Sequence, residues 1–454
     1  MDALLKIVQT INMYLSDYIL IILLIGAGLY FTVRTRFVQV RCFGEGLKQV
    51  FGGIFKKEKN SGINSFQALA TAVAAQVGTG NIVGACGAIL VGGPGAIFWM
   101  WIIAFFGMAT IYAEAVLAQE TKVKQADGTY AGGPVYYIKK AFPNGFGTFL
   151  SKFFAVSIFL ALGFMGAMVQ SNSIGESMST AFSIPSWIAG IVVAVLSATV
   201  FIGGAKRIVS VTEKLVPVMA ILYLVGGIII LIARAKYLPE SIGMIFKYAF
   251  QPDAIIGGGI GYALKTAISQ GAKRGLFSNE AGMGSTPHAH ALAEVKKPHD
   301  QGVAAMIGVF IDTFVVLTMT GLVVISTLYT SDGIIASGSA DGVAKTNMAM
   351  LAFGKVFGST GAGIFVAICL FFFAFSTIIS WNYFGKINFE NLFGKKSLPI
   401  YYIIATVFIF LGSLASNDLV WELTDMFNQL MVLPNVIAIV ALGGIVAKSA
   451  KKDK

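Results

Sequence analysis

Long uncharged runs are the feature of this sequence that most limits its fold. A helix needs roughly 20 apolar residues to cross the hydrocarbon core of a bilayer, and 56% of the chain is hydrophobic. Only 12% is charged, whereas an ordinary globular domain is about one quarter charged. The sequence therefore predicts an all-α polytopic membrane protein. The eleven predicted transmembrane helices lie near residues 14–33, 65–91, 94–119, 150–179, 186–203, 213–234, 255–288, 302–328, 359–384, 398–414 and 419–446.

The basic residues, which give a net charge of +11, fall in short loops and do not form one patch. No nucleic-acid partner is therefore predicted. With the N-terminus placed outside, the cytoplasmic loops hold 23 Lys and Arg residues and the outside segments hold 6, which agrees with the positive-inside rule. We expect one multi-pass domain, 1–454, in the cell (inner) membrane. Its C-terminus is predicted to be cytoplasmic, its surroundings are the lipid bilayer, and no obligate protein partner is evident.

The cysteines show neither metal-ligand spacing nor a disulfide framework. Cys42, Cys86 and Cys369 are scattered and are interpreted as small apolar core residues. No cofactor is predicted. The histidines fall at a cytoplasmic helix end and loop, and no metal chemistry is assigned to His288, His290 and His299.

The spans divide into one helix plus two groups of five. The span at 14–33 is predicted to be peripheral, with 65–234 as a first five-helix repeat and 255–446 as a second. Five is an odd number, so the second repeat is inverted. The opening span of each repeat has a glycine-rich interruption, at 78–81 and at 269–275. Interruptions at matching positions indicate the binding site of a transporter built from inverted repeats.

The first interruption can bind an anion through its backbone. A helix start presents free N–H groups and a partial positive charge, and unwound backbone is tolerated in a membrane only against protein, water or ligand. We expect the amides of Thr79 and Gly80 to hold a carboxylate, with Gly78 and Asn81 completing the turn. Helix packing through the Gly80 and Gly84 pair is the alternative interpretation.

The second interruption and one buried amide complete the predicted ligand site. Ser269 and Gly271 offer a hydroxyl and carbonyl ends to an ammonium group. Gln170 lies in an otherwise apolar stretch, where an unpaired amide is costly. Its amide is expected either to contact the ligand or to form a hydrogen bond between helices, and the sequence leaves both open.

Two adjacent hydroxyls deep in an apolar run are candidate ligands of a sodium ion. A hard cation prefers oxygen ligands, and Ser376 and Thr377 provide them without net charge. The alternative is that both hydroxyls bond to carbonyls of their own helix, as such residues often do.

Three acidic residues lie within predicted spans, where ionisable groups are functional candidates. Glu114 lies toward the cytoplasmic end of its span, and Glu280 is expected to form an ion pair with Lys273 or Arg274. Asp312 is expected either to help hold a cation or proton, or to join two helices.

Three segments resemble the alanine or glycine:cation symporter family, also called sodium:alanine symporters. They are Gln-Val-Gly-Thr-Gly-Asn-Ile-Val-Gly at 76–84, Gly-Gly-Pro-Gly-Ala-Ile-Phe-Trp-Met-Trp at 92–101 and Lys-Arg-Gly-Leu-Phe-Ser-Asn-Glu-Ala-Gly-Met-Gly-Ser at 273–285. The resemblance covers most of the chain. It implies sodium-coupled uptake of alanine, glycine or similar amino acids on a LeuT-like scaffold of five plus five inverted helices with two broken helices.

The resemblance also implies roles for individual residues. Thr79 and Gly80 fall where backbone amides hold the substrate carboxylate, and Ser269 and Gly271 fall where the amine and side chain are contacted. Gln170 stands where related scaffolds place a tyrosine, and a second cation site near Asn81 would involve Asp312. The implied sodium ligands are the carbonyls of Ala74 and Val77 with the hydroxyls of Ser376 and Thr377.

Together these observations predict a symporter that works by alternating access. Its partners are a small neutral amino acid and Na⁺ as the coupling ion. Proton coupling through Asp312 or Glu280 is the main alternative, and a channel is a further one, although channels repeat one filter by symmetry. An enzyme is not expected, because no His, Cys and carboxylate residues share catalytic spacing.

Overall fold

The computed structural model shows a protein built almost entirely of helices, with one two-stranded antiparallel sheet. In that sheet, β1 (Val123–Lys124) pairs with β2 (Tyr130–Ala131). The structure describes residues 2–52, 62–125, 128–251, 260–336, 340–415 and 417–451.

The helices are numbered in chain order. They are α1 (Leu4–Arg34), α2 (Val38–Arg41), α3 (Phe43–Phe51), α4 (Ser65–Gln76), α5 (Gly80–Gly92), α6 (Ala96–Thr121), α7 (Pro134–Ala141), α8 (Gly145–Phe182), α9 (Ser186–Phe201), α10 (Gly204–Ala233), α11 (Leu238–Phe250), α12 (Ile260–Asn279), α13 (Pro287–His290), α14 (Pro298–Tyr329), α15 (Met348–Phe393), α16 (Lys395–Gly412), α17 (Asp418–Ala441) and α18 (Gly443–Ser449), with a 3-10 turn at Ala235–Tyr237.

Eight of the described helices are long and apolar enough to cross a membrane, and nine spans result if α4 and α5 count as one. The multi-pass class predicted from the sequence is therefore shown. The 16-residue helix α9 is shorter than the other apolar helices, and α12 carries Lys265, Lys273 and Arg274. The count of eleven spans and the five-plus-five repeat remain predictions.

Apolar side chains cover the outer faces of the spans. Ile22 of α1, Ile232 of α10 and Ile403 of α16 are all strongly exposed. An exposed apolar surface of this extent is costly in water and is what the hydrocarbon of a bilayer accepts. The interior instead holds many buried polar residues, among them Asn81, Gln170 and Asp312.

The N-terminal helix α1 packs along α6 and α17. Gly28 permits the close approach to α6, because a Cβ atom there would lie 2.5 Å from the Cβ atom of Phe106. Hydrogen bonds from Asn12 to Glu422, at 2.8 Å to its carbonyl oxygen, and from Gln429 to Ser16, at 2.7 Å, join α1 to α17. The predicted extra helix is thus attached to two of the spans.

The first predicted interruption is present in the structure. Helices α4 and α5 meet at a bend of 49°, and the backbone of Val77 between them has ψ 88°, outside the helical range. Asn64 caps the start of α4, where its side chain accepts a hydrogen bond from the amide of Gln67 and forms a capping box.

The second interruption is not at 269–275, and that prediction is wrong. Helix α12 runs without a break to Asn279, and the chain then unwinds at three residues with positive φ. They are Glu280 (φ 58°), Gly282 (φ 95°) and Gly284 (φ 79°). The span predicted at 255–288 therefore ends nine residues early. Residues 255–259 of that span lie outside the described part.

The glycines at 271 and 275 serve helix packing instead. A Cβ atom at Gly271 would lie 2.5 Å from the Cβ atom of Trp99 and 3.0 Å from the carbonyl oxygen of Ala96. Gly275 faces Met100 and Ile103 of the same helix, α6. Small residues at this interface let the two backbones approach closely, which explains why a glycine cluster here produces no break.

Candidate functional site

The first break is held by the side chain of Asn81. Its Oδ1 accepts a hydrogen bond from the amide of Gly78 at 3.0 Å, and its Nδ2 donates to Oδ1 of Asp312 at 2.6 Å. The same Nδ2 lies 3.2 Å from the carbonyl oxygen of Asp312. The unwound turn is thereby attached to α14, and its backbone groups keep a polar partner inside the protein.

The glycines at 78 and 80 let the helices that face them approach closely. A Cβ atom at Gly78 would lie 2.5 Å from Oγ1 of Thr377 on α15, and one at Gly80 would lie 3.0 Å from the ring of Phe277 on α12. Gly84, one turn further, has no atom closer than 3.8 Å. The break is therefore the point where α12 and α15 converge on the first interrupted helix.

Gln170 contacts the break directly. The amide of Thr79 donates a hydrogen bond to Oε1 of Gln170 at 3.1 Å, so the predicted hydrogen bond between helices exists. Two donors beside it have no partner among the described residues, namely Nε2 of Gln170 and Oγ1 of Thr79. Both residues are fully buried. Buried polar atoms normally have a partner, so these two donors are available to a ligand.

Two aromatic side chains that the sequence analysis missed lie beside the first break, where Phe277 faces Gly80. The rings of Phe277 and Trp381 meet edge to face at 5.7 Å. Gly166 makes room for the indole, since a Cβ atom there would lie 2.5 Å from Cζ3 of Trp381. The signal was the spacing of Trp381, four residues after Thr377, which places both on one face of α15.

The unwound segment after α12, residues 280–284, is held by the carboxylate of Glu114. Glu114 of α6 accepts hydrogen bonds from the amides of Gly282 at 3.1 Å and Gly284 at 2.9 Å. Asn435 of α17 donates to the same carboxylate at 2.6 Å and to the carbonyl oxygen of Gly282 at 2.9 Å. Three donors from two segments thus converge on this one carboxylate group.

Glu280 does not pair with Lys273 or Arg274, so that expectation is wrong. Its carboxylate accepts hydrogen bonds from Oγ of Ser285 and from Nε1 of Trp381, both at 2.5 Å. The residue sits after the end of α12 with positive φ, which turns its side chain toward α15 and away from the basic pair. Glu280 thus joins the second break to the aromatic pair.

Lys273 and Arg274 instead connect α12 to α17. The Nζ atom of Lys273 lies 2.8 Å from Oδ2 of Asp425, and Nη1 of Arg274 lies 3.2 Å from Oδ1. The Arg274 guanidinium also stacks 4.9 Å from the ring centre of Trp421, which packs on Phe277. Charged and aromatic contacts thus continue from the aromatic pair along one side of α12.

The four predicted sodium ligands converge between α4 and α15. The hydroxyl of Thr377 lies 3.0 Å from the carbonyl oxygen of Ala74 and 3.5 Å from that of Val77, and the hydroxyl of Ser376 lies 3.3 Å from that of Ala74. Both hydroxyls also lie about 3 Å from the carbonyl oxygen of Phe373 on their own helix, at 2.9 and 3.0 Å. Oxygens gathered this closely without a formal charge suit a monovalent cation.

Asp312 is the centre of a second polar cluster. Ser278 donates to both of its carboxylate oxygens at 3.0 Å, and Thr313 donates to Oδ2 at 2.8 Å. These donors come from α12 and α14 themselves, while Asn81 comes from the first break. Asp312 therefore ties both interrupted helices to α14.

Several of these residues lie where helices widen into π-helical turns. One such turn spans Gly80–Gly84 and contains Asn81, and another spans Phe310–Leu317 and contains Asp312. Single π turns inside α-helices are frequent at functional sites. They shift the register of the side chains, which lets the two residues face each other.

Ser269 and Gly271 are not brought to the first break. The hydroxyl of Ser269 donates to Oδ1 of Asp17 on α1 at 2.5 Å, and Gly271 packs on α6. The predicted ligand residues therefore fall into two sets. One set meets at the first break and consists of Gly78, Thr79, Gly80, Asn81 and Gln170. The other set, Ser269 and Gly271, lies on α12 about two turns before Phe277 and Ser278, the residues of α12 that face the break.

The helices and the paired breaks have the architecture of the LeuT fold. Among solved structures, the chain is similar to MhsT in complex with L-phenylalanine, with a TM-score of 0.59 at 16% identity. The match covers 87% of this chain and 100% of MhsT. At this identity the likeness shows the fold alone.

The particular family follows from closer relatives. The profile of the Sodium:alanine symporter family matches residues 1–453. The chain is 40% identical to the sodium/alanine symporter AgcS of Methanococcus maripaludis, over 98% of this chain and 96% of AgcS. It is 41% identical to the putative sodium/proton-dependent alanine carrier protein YrbD of Bacillus subtilis, over 96% of this chain and 89% of YrbD.

The chain therefore belongs to the sodium:alanine symporter family. This confirms the resemblance carried by the three sequence segments, and it confirms that the protein is a transporter and not an enzyme.

Proposed function

We propose that this protein takes up small neutral amino acids, alanine and glycine foremost, together with Na⁺. One observation carries the proposal. The two unpartnered donors, Nε2 of Gln170 and Oγ1 of Thr79, are buried at the first break. Within a few residues on the same chain segment, Ala74 and Val77 contribute carbonyl oxygens to the candidate cation site.

The amino-acid carboxylate binds at the start of α5 in this proposal. The first N–H groups of a helix have no partner within the helix and carry a partial positive charge. The Gln170 amide and the Thr79 hydroxyl add two donors to that end. A carboxylate, which accepts several hydrogen bonds at once, is the group that these donors fit.

The ammonium group faces the opposite kind of helix end. Gly80 lies against Phe277 and Ser278, in the last turn of α12. The last carbonyls of a helix lack partners and carry a partial negative charge. The carbonyl of Leu276 accepts from the amide of Glu280, and that of Asn279 accepts from Nε2 of Gln76. The carbonyls of Phe277 and Ser278 therefore replace Ser269 and Gly271 as the proposed amine contacts. Phe277 and Trp381 then limit the space for the side chain and favour small substrates.

Ion and substrate binding are coupled through the first break. A sodium ion held by the carbonyls of Ala74 and Val77 and the hydroxyls of Ser376 and Thr377 fixes the end of α4 against α15. This fixes the turn that positions Thr79 and Gly80. Binding of the ion therefore lowers the entropy cost of ordering the substrate site, which is positive cooperativity.

Transport proceeds by alternating access of two inverted five-helix repeats, 65–234 and 255–446, about this site. We propose that the contacts of Lys273 and Arg274 with Asp425 part when the outer side opens. In this proposal the protein lies in the cell (inner) membrane with its N-terminus outside and its C-terminus in the cytoplasm, which the positive-inside distribution supports.

Proton coupling is the second candidate. Asp312 is buried and receives hydrogen bonds from Asn81, Ser278 and Thr313, and the relative YrbD is named a sodium/proton-dependent carrier. A carboxylate so placed can exchange a proton when the break moves.

Uptake of labelled alanine into proteoliposomes tests both candidates. An inward Na⁺ gradient at constant pH should drive accumulation, and replacing Na⁺ by choline should abolish it. Accumulation driven by a pH gradient in choline would favour proton coupling instead. Thr406→Ala, on α16 and outside the site, is the matched control for Thr377→Ala, which should raise the Na⁺ concentration required.

A further inference from the structure

Three residues distant in sequence bring a thiol, a carboxylate and an imidazole together at the start of α14. Cys42 directly precedes α3, Glu45 lies in the first turn of α3, and His299 is the second residue of α14. Their Sγ, carboxylate oxygen and ring nitrogen all lie within 4.8 Å of one another. Among the described residues, no other group of His, Cys and acidic side chains is this compact.

The imidazole is oriented by a fourth residue. The hydroxyl of Tyr112 on α6 lies 2.7 Å from Nδ1 of His299, while Nε2 of His299 faces Glu45 at 3.3 Å. When Nδ1 carries the proton and donates it to the Tyr112 hydroxyl oxygen, Nε2 keeps a free lone pair. Metal-binding histidines are generally fixed in this way by a hydrogen bond from their other nitrogen.

We propose that Cys42, Glu45 and His299 form a binding site for a divalent transition metal ion, with Zn²⁺ as the best fit. Zinc takes sulfur, nitrogen and carboxylate ligands in tetrahedral sites, with bonds of about 2.0–2.3 Å. Such bonds separate the ligand atoms by about 3–4 Å, which the three side chains reach with small rotations. Magnesium and calcium, which prefer oxygen ligands, are excluded by this donor set.

The site has an entry path and room for a fourth ligand. Cys42 is fully buried, His299 is 13% exposed and Glu45 is 41% exposed. Glu45 and His299 also line an open cavity of about 880 Å³, so water can complete the tetrahedron. On binding, the Cys42 thiol loses its proton to solvent and the thiolate sulfur bonds the metal, which makes the affinity fall at lower pH.

The bound ion would fasten α3 to the start of α14. These helices already pack together, because Gly46 lets α3 approach the carbonyl of Val303 and the side chain of Ile307. Helix α14 also carries Asp312, which is bonded to both interrupted helices. The site therefore lies on the helix that contacts both breaks, and Zn²⁺ is expected to slow transport by holding this helix in place.

Cobalt titration of the purified full-length protein tests the site without using transport. Co²⁺ bound to a thiolate gives a near-ultraviolet charge-transfer band, and excess Zn²⁺ should remove it. We expect one equivalent of Co²⁺ to produce the band in the unaltered protein. Absence of the band, or a band that Zn²⁺ does not displace, would overturn the proposal.

Variants identify the ligands. Cys42→Ser should abolish the band, whereas Cys369→Ser, which alters another buried cysteine far along the chain, should leave it unchanged. Glu45→Gln and His299→Gln should weaken Co²⁺ binding by at least about 100-fold, since even outer partners of metal ligands contribute 10- to 100-fold. Glu45 is partly exposed, so its variant stays informative if Cys42→Ser does not fold. A band that persists in Cys42→Ser, or unchanged affinity in Glu45→Gln, contradicts the assignment.

Discussion

The two breaks in the interrupted helices are built differently. The first, between α4 and α5, is a short turn whose glycines allow α12 and α15 to approach, and the amide side chains of Asn81 and Gln170 hold it. The second, after α12, is a longer unwound segment in which the carboxylate of Glu114 binds two backbone amides. The comparison shows that glycine serves a break in two separate ways. At the first break it lets neighbouring helices approach closely, and at the second it allows the backbone to adopt a positive φ.

The largest effect is expected from adding a methyl group to the first break. In Gly78→Ala, the new Cβ atom would overlap with the Thr377 hydroxyl at 2.5 Å. Overpacking of this kind costs about 1–3 kcal/mol, so alanine uptake should fall by at least about fivefold. Gly84→Ala, where the nearest atom is 3.8 Å away, should transport normally. Equal rates for the two variants would show that the turn is not closely packed.

At the second break, replacing a glycine is expected to change the stability of the protein, and the sign of the change depends on the backbone φ of that glycine. Gly284→Ala places a side chain at φ 79° and within 3.0 Å of Pro134, Phe154 and Asn435. Such strain costs about 1–3 kcal/mol, and the melting temperature should fall. Gly275→Ala, inside α12 with its nearest neighbour at 3.6 Å, should raise it slightly, because alanine favours helix over glycine. A fall of similar size in both variants would contradict the corrected position of the break.

Replacing the carboxylate of Glu114 tests whether the second break is supported independently of the cation site at the first break. In Glu114→Gln, one of the two backbone amides loses its acceptor oxygen, and a buried donor left without a partner costs about 1–3 kcal/mol. We expect a lower melting temperature and slower uptake with an unaltered Na⁺ requirement, since the cation oxygens belong to the first break. Glu120→Gln, at the exposed end of the same helix, is the control. A changed Na⁺ requirement in Glu114→Gln would mean that the second break also shapes the ion site.

The smallest effect is expected at Ser269. Its hydroxyl bonds to Asp17 of the N-terminal helix, so its removal weakens a contact between α12 and α1 and leaves the substrate site unchanged. In Ser269→Ala, the concentration of alanine giving half-maximal uptake should stay unchanged. A large increase in that concentration would indicate that Ser269 contacts the substrate.

The sequence predicted the membrane class, the family and the first break because each depends on local pattern. Apolar length marks spans, and the Gly-Thr-Gly-Asn turn combines small residues with a side chain that can cap its own backbone. Ser376 and Thr377 could be placed with Ala74 and Val77 through the resemblance, and the structure brings the four together.

The second break was misplaced because glycine spacing alone does not distinguish packing from unwinding. Gly271 and Gly275 face the backbone of α6, a partner that no local pattern reveals. The residues that do unwind, Glu280 to Gly284, are held by Glu114 and Asn435, which are far away in sequence. Trp381 was missed for a related reason, since its neighbours are far away in sequence. Phe277 lies in α12 and Glu280 lies directly after it.

The central claim is that donors at the first break bind an amino-acid carboxylate only when Na⁺ orders that break. Calorimetric titration of the purified protein with alanine and with alaninamide, each in Na⁺ and in choline, tests it directly. Alanine should bind in Na⁺ alone, and alaninamide, which lacks the carboxylate, should not bind in either salt. Equal binding of the two compounds, or alanine binding that is the same in choline, would contradict the account.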